Sequence, residues 1–205
     1  MDFKHVIAGV ISSFLFFVRR VLYLIVSPYK AMREISEDND MLQVLYVFFC
    51  IAVYFYFANN LRTYPHAPWV LFLMTIIHYL ITVTYFALFT ILSTKEHHIK
   101  IGPFLLLFSY ALIPTLVWFI TNSVLYAFLP PPRTPSFLGK GFSLVYVSFS
   151  IGMLLWKIVV TYLAIRFATG LRFFRISYSI LLYLIAVIPY SMLLYSLQFF
   201  RIPFL

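Results

Sequence analysis

The sequence predicts an all-α polytopic membrane helix bundle, and three observations predict it. Hydrophobic residues make up 63% of the 205 residues and charged residues 10%, against roughly 45–50% and about 25% in soluble globular chains. So short a chain cannot hide that much apolar surface in its own interior, and lipid must act as the solvent. Five apolar runs lie at about 41–58, 69–92, 103–129, 142–169 and 178–198. A span takes about 20 residues to cross about 30 Å of hydrocarbon. The first run is barely long enough, with Asn59 and Asn60 extending it, and the third and fourth are long enough to tilt or project. None alternates in the short period of a barrel strand, which leaves helices as the spanning element.

Residues 3–26 precede these runs and are also apolar. At 100° per residue, Asp2, His5, Gly9, Ser12, Ser13, Arg19, Arg20 and Tyr23 fall on one arc. Phe3, Val6, Ile7, Val10, Phe14, Phe17, Val18, Val21 and Ile25 fall on the other, and only Phe16 clearly intrudes. This pattern predicts an amphipathic helix lying in the membrane interface. The alternative is a sixth span with two arginines near its end. No small-residue cleavage site follows, which argues against a removed signal peptide. Ser27-Pro28 then restarts the chain, with Ser as N-cap and Pro at the first helical position. A short polar helix is expected over 28–37, closed by Asp38-Asn39-Asp40, which also caps the first span. Residues 1–40 thus form a surface segment and 41–205 a five-helix transmembrane domain.

The connections carry the orientation signal. They run from Arg62 to Pro68, from Ser93 to Gly102, from Leu129 to Gly141 (with Pro130, Pro131, Pro132 and Pro135) and from Gly170 to Ser177. With the N-terminus inside, the inner segments hold Lys4, Arg19, Arg20, Lys30, Arg33, Lys95, Lys100, Arg166, Arg172 and Arg175. The outer ones hold Arg62, Arg133, Lys140 and Arg201. Ten against four favours N-in and C-out. All six acids, Asp2, Glu34, Glu37, Asp38, Asp40 and Glu96, fall on the inner side. The net charge of +9 is scattered between apolar runs rather than gathered in a patch. It therefore reads as topology determinants and anionic-headgroup contacts, not as a nucleic-acid surface.

Nothing in the chain assembles a catalytic constellation, and no enzyme is expected. The histidines are His5, His66, His78, His97 and His98. Glu96-His97-His98 lacks the i, i+4 spacing that a zincin needs. No acid lies within a span, which excludes an intramembrane aspartyl protease or a carboxylate proton relay. Gly139-Lys140-Gly141 is too short for a phosphate loop. The single cysteine, Cys50, excludes an internal disulfide and a cysteine-based zinc site, and reads as a small core residue. No cofactor or metal is called for.

The polar residues inside the runs are more informative. Lys157 sits near the middle of the fourth run, where a charge costs about 2.5–3.5 kcal/mol on insertion scales. It has three outcomes open to it. It can snorkel to an interface. It can line a polar cavity with Asn122, Thr161 or backbone carbonyls, touching a lipid phosphate. Or it can meet a group from another subunit. His78, Tyr79, Thr82 and Thr84 make the second run unusually polar and fit an interhelical hydrogen bond. Pro114 and Pro189 should kink their helices or free carbonyls. The face of Tyr46, Phe49, Val53 and Tyr56 suits lipid or another membrane helix.

Several stretches together resemble a known family. A basic amphipathic start precedes the Pro-led helix Pro28-Tyr-Lys-Ala-Met-Arg-Glu-Ile. Tyr110-Ala-Leu-Ile-Pro114 lies in the third run. Trp156 lies in the fourth, which leads through Arg166-Phe-Ala-Thr-Gly170-Leu-Arg to the fifth. The chain resembles the Ypt-interacting-protein (Yip) domain family over nearly its whole length. That resemblance implies five spans. Eukaryotic members carry a long hydrophilic N-terminal region thought to meet Rab-type GTPases. Only about 40 residues precede the first span here, so no Rab-type partner is inferred. The likeness is to the short prokaryotic members, which places the chain in a cytoplasmic (inner) membrane. The expected role is a non-enzymatic scaffold or accessory subunit that binds anionic lipid and another integral membrane protein; the alternative is a component of a lipid or small-amphiphile transporter. The candidate contact residues are Arg19, Arg20, Lys30, Arg33, Arg172 and Arg175 at the inner surface, and His78, Asn122 and Lys157 inside the bundle.

Overall fold

The computed structural model describes residues 3–38, 40–61, 66–93, 101–128 and 137–199. Eight helices follow in order: α1 (Phe3–Val26), α2 (Pro28–Glu37), α3 (Leu42–Leu61), α4 (Pro68–Ser93), α5 (Ile101–Tyr110), α6 (Ile113–Phe128), α7 (Phe137–Thr169) and α8 (Phe173–Ser196). No strand occurs among the described residues. Six stretches are long and apolar enough to cross a membrane: Ala8–Val26, Leu42–Leu61, Pro68–Ser93, Ile101–Leu125, Gly139–Thr169 and Phe173–Ser196. The chain is a helical membrane bundle.

The polar helix α2 has the bounds its sequence predicts, because Pro28 starts it and Asp38 leaves the helical region at φ −97°, ψ 148°. Ser27 occupies the N-cap, but its side chain makes no capping hydrogen bond, contrary to expectation. Its carbonyl instead accepts from the Ala31 amide at 3.1 Å. Ala31, Met32 and Ile35 form the buried stripe of α2. That stripe seats the helix across α1, α5 and α7. Tyr29 packs edge-on against Phe167, near the end of α7, with ring centroids 5.3 Å apart. At the start of α3, Asp40 Oδ1 accepts from the Leu42 amide at 3.1 Å, which is the cap expected there.

Two connections are shorter than the sequence implies. Helix α7 already includes Gly139, Lys140 and Gly141, and its 33 residues reach about 50 Å, more than the hydrocarbon needs. Helix α8 begins at Phe173, which leaves only Gly170, Leu171 and Arg172 outside α7 and α8. The reversal is sharp because Gly170 adopts φ +65°, a left-handed conformation that a side chain disfavours. Pro189 sits within a continuous α8 rather than ending it. The third apolar run, in contrast, is broken. A turn at Ala111 and Leu112 separates α5 from α6, and Pro114 lies in the first turn of α6. Without an amide proton, Pro114 cannot satisfy the Tyr110 carbonyl.

That broken helix is the most buried of the six candidate spans. Phe104, Leu106, Leu107, Tyr110 and Trp118 are almost wholly enclosed. Helices α3, α4 and α7 pack around it. An irregular backbone at membrane depth is tolerated where protein rather than lipid surrounds it. The peripheral helices show the opposite pattern. Phe49, Tyr56, Leu80, Leu144, Leu155, Leu181 and Ile185 are exposed, as lipid-facing residues should be. Tyr46 departs from its expected face: it is half-buried under α1, and its hydroxyl donates to the Val10 carbonyl at 2.9 Å.

The two ends of the bundle are identifiable. At one end, Arg175 at the start of α8 donates to the Ser93 carbonyl at the end of α4 (2.9 Å). Gly102 at the start of α5 approaches Met41 Sδ. At the other end, His66 stacks on Phe199 at 4.1 Å and lies 3.1 Å from the Leu197 carbonyl oxygen. The helices therefore alternate up and down, as short connections require.

Candidate functional site

Two polar clusters and one basic fringe concentrate the chemistry of this chain. The first cluster joins α1 to the bundle. Arg20 Nη1 donates to Asp38 Oδ2 at 2.6 Å and to Gln43 Oε1 at 2.8 Å. The Tyr110 hydroxyl donates to the same Gln43 oxygen at 2.6 Å. Gln43 Nε2 in turn donates to Asp38 Oδ2 and Asp40 Oδ2, both at 3.2 Å. Ser13 closes the cluster by donating to Asp40 Oδ2. Gln43 and Tyr110 are fully enclosed, and the Arg20 side chain is only 12% exposed. Such enclosure is tolerable because both carboxylates and the amide are engaged.

This geometry reverses the expected orientation of part of α1. Among the described side chains of α1, Ser13, Phe17 and Leu24 are buried, with Arg20 beside them, so Ser13 and Arg20 from the polar arc turn into the protein. Phe14, Val18 and Ile25 from the apolar arc are exposed. The Arg20 guanidinium is thus held by protein groups rather than presented to headgroups. Phe17 lies between the rings of Tyr46 and Tyr110, at 5.8 and 6.0 Å.

The second cluster surrounds a cavity of about 40 Å³ at the α5–α6 break. Its walls are His78, Tyr79 and Thr82 of α4, Phe108 at the end of α5, Ala111 and Leu112 of the turn, Lys157 and Thr161 of α7, and Tyr183 of α8. Lys157 Nζ donates to Thr115 Oγ1 at 2.9 Å. Lys157 stands 12 residues before Thr169, about 18 Å along the helix, which is near the middle of a bilayer.

Polar groups of the α4 wall pair with one another and with α8. The Thr82 hydroxyl donates to the His78 carbonyl at 2.9 Å, so its single proton is committed. The Tyr183 hydroxyl, 2.6 Å away, must then donate to Thr82. That leaves His78 Nε2, 3.3 Å from the Tyr183 oxygen, as the donor to it. The loop places a proton on Nε2 of His78. Tyr190 stacks on the imidazole at 5.8 Å and fixes its plane. The Tyr79 hydroxyl donates to the Leu105 carbonyl at 2.7 Å.

The structure brings His78 and Lys157 to one cavity but sends Asn122 elsewhere. Asn122 Oδ1 accepts from the Tyr146 hydroxyl at 3.2 Å, and the residue is absent from the cavity wall. Its place beside Lys157 is taken by Thr115, which sequence reasoning missed. The proline one position earlier, Pro114, was the available signal. Thr84 is exposed and stands apart from the His78 cluster.

The basic fringe gathers at the end of the bundle that holds α2. Arg19, Lys30, Arg33, Arg166, Arg172 and Arg175 are all exposed. Arg19 lies 3.9 Å from Glu34 and Arg33 lies 3.4 Å from Glu37, both open surface pairs of little energetic weight. Glu96-His97-His98, Lys95, Lys100, Arg62, Arg133 and Arg201 lie outside the described residues. Among the described residues, no group of three or more His, Cys, Asp or Glu could hold a metal ion. No protein-family model, curated protein or solved structure matches this chain.

Proposed function

We propose that this chain is a non-enzymatic membrane scaffold or accessory subunit, related to the short Yip-domain proteins. Its N-terminus faces the cytoplasm, and it rests on anionic lipid at that face. One observation carries the reading: α1 and α2 are locked to the bundle end that displays Arg19, Lys30, Arg33, Arg166, Arg172 and Arg175. An apolar outward face on α1, set beside exposed cations, suits the boundary between acyl chains and anionic headgroups. The exposed apolar faces of α3 and α7 supply helix surfaces for a membrane partner.

The five-span count with an in-plane α1 has its own support. Val10, Ser13 and Arg20 find their partners between Asp38 and Tyr46, at the α2–α3 connection and the first turns of α3. These contacts hold α1 near the beginning of α3, which supports a helix lying at the end of the bundle.

A transporter component is the second reading, favoured by the cavity beside Lys157. Its volume argues against lipid as cargo, since about 40 Å³ holds only about three waters at 10–15 Å³ each. Affinity purification in mild detergent separates the two readings. A membrane protein recovered in stoichiometric amount supports the scaffold. A stable lone protein that moves lipid between liposomes would sink it.

A further inference from the structure

We propose that the cavity at the α5–α6 break is an internal water site at mid-membrane depth, where bound water completes the hydrogen bonding of the broken helix. The inference is independent of the scaffold reading and rests on the backbone of the break, the chemistry of the wall and the volume.

The backbone comes first. The Leu112 amide donates to the Ser109 carbonyl at 3.0 Å, so the Phe108 carbonyl loses its helical donor. Four residues after Ala111, the first bond of α6 runs from the Leu116 amide to the Leu112 carbonyl, and none runs to Ala111. Among the described residues, no backbone amide therefore reaches the Phe108 or Ala111 carbonyl. Both residues are buried, and both belong to the cavity wall. Enclosed carbonyls require a donor, and irregular backbone at membrane depth is tolerated where it lines water.

The wall selects the occupant. Beside the two carbonyls it holds His78, whose Nδ1 is an acceptor once the proton is on Nε2. The hydroxyls of Thr82, Tyr183 and Tyr79 have committed their protons to protein acceptors. Thr161 makes no hydrogen bond among the described residues and can both donate and accept. A wall with this many acceptors calls for a ligand that donates, which an anion cannot do. No span carries a carboxylate, so nothing in the wall would neutralise a metal cation. Water donates twice and accepts twice, and about 40 Å³ holds about three waters.

The test is water-edited solid-state NMR on the isotope-labelled full chain in lipid bilayers, which reads magnetisation passing from water to nearby carbons. The expected result is a build-up at Ala111 and Thr161 at least twofold faster than at Leu106 and Val160. Those two residues are fully enclosed on the same helices but lie outside the wall. A build-up at Ala111 and Thr161 no faster than at Leu106 and Val160 overturns the proposal. Thr161→Val keeps the side-chain volume and removes the hydroxyl, so the build-up at Ala111 should slow at least twofold. An unchanged rate in that variant overturns the assignment of Thr161 to the site. The comparison within the unsubstituted chain stands whether or not the variant folds. Choline is exchanged for sodium at constant ionic strength; a build-up at Ala111 that changes with this exchange overturns water in favour of a cation.

Discussion

Arg20 and Gln43 meet at 2.8 Å across 23 positions of sequence, and their bond decides which way the first helix faces. The guanidinium also holds Asp38 at 2.6 Å, so one side chain ties α1 to the α2–α3 connection and to α3 itself. Removing it leaves Asp38 without its cation and Gln43 Oε1 with Tyr110 alone among these donors. Arg20→Leu should cost about 1–3 kcal/mol, the penalty for stranding partly buried polar groups. Chemical denaturation in detergent measures it. Arg20→Lys should recover only part of the loss, because an ammonium cannot reproduce the planar fork.

Arg20 and Tyr110 share one acceptor, and this makes them energetically coupled. Tyr110→Phe removes a single hydroxyl from an enclosed site and should cost about 1 kcal/mol. In a double-mutant cycle with Arg20→Leu, the two losses should fail to add by about 0.5–3 kcal/mol. Additive losses would show that Gln43 relaxes freely when either donor is lost.

The placement of α1 can be read by chemical labelling. In a Cys50→Ser background, single cysteines replace residues 9–26 in turn and meet a membrane-impermeant maleimide. An in-plane helix should show reactivity recurring about every 3.6 residues, strongest near Ser12, Arg19 and Tyr23 and weakest near Phe14, Val18 and Ile25. A continuous unreactive block through the centre of the helix would identify a sixth span instead.

The Lys157–Thr115 pair should be asymmetric under substitution. Thr115→Val takes the acceptor from an amine inside the bundle and should destabilise by about 1–3 kcal/mol. Adding Lys157→Met removes the amine that lost this acceptor and replaces it with apolar volume, so the double variant should regain most of that loss. Unfolding midpoints of the four proteins decide the point. A double variant weaker than Thr115→Val would mean that the lysine supports the fold through its other contacts.

Gly170 offers a test of the reversal between α7 and α8. No neighbouring atom lies within 4 Å of a β-carbon built there, so a substitution acts only through the backbone. At φ +65°, Gly170→Ala should cost about 1–2 kcal/mol. Gly170→Asn should cost less, because Asn tolerates the left-handed region. Equal losses in thermal unfolding would place the cost outside the backbone.

The membrane character of this chain was legible in its sequence because lipid imposes a length and a composition on any spanning helix. Bounds were sharp where a backbone rule applied, as at Pro28 and Asp38. They were vague where polar or small residues continue a helix without breaking it. Gly139, Lys140 and Gly141 resemble loop residues, yet they extend α7. Pro114 signalled a disturbance in the third run but not whether it would bend the helix or divide it.

The sites were less legible than the spans. Lys157 stood out from its sequence because one charge in an apolar run has a large transfer cost. Its partner did not stand out, since Thr115 and Asn122 are equally plausible acceptors until α6 is rotated into place. The chain by itself determined that its helices lie in lipid, that its acids avoid the spans, and that one lysine sits at mid-depth. Only the tertiary structure decided that Ser13 and Arg20 turn inward, that Gln43 gathers α1, α3 and α5, and that a cavity forms where α5 breaks. Hydrophobicity is a local property that any window of sequence reveals, whereas hydrogen-bond partners 67 positions apart, such as Gln43 and Tyr110, are chosen by how helices cross.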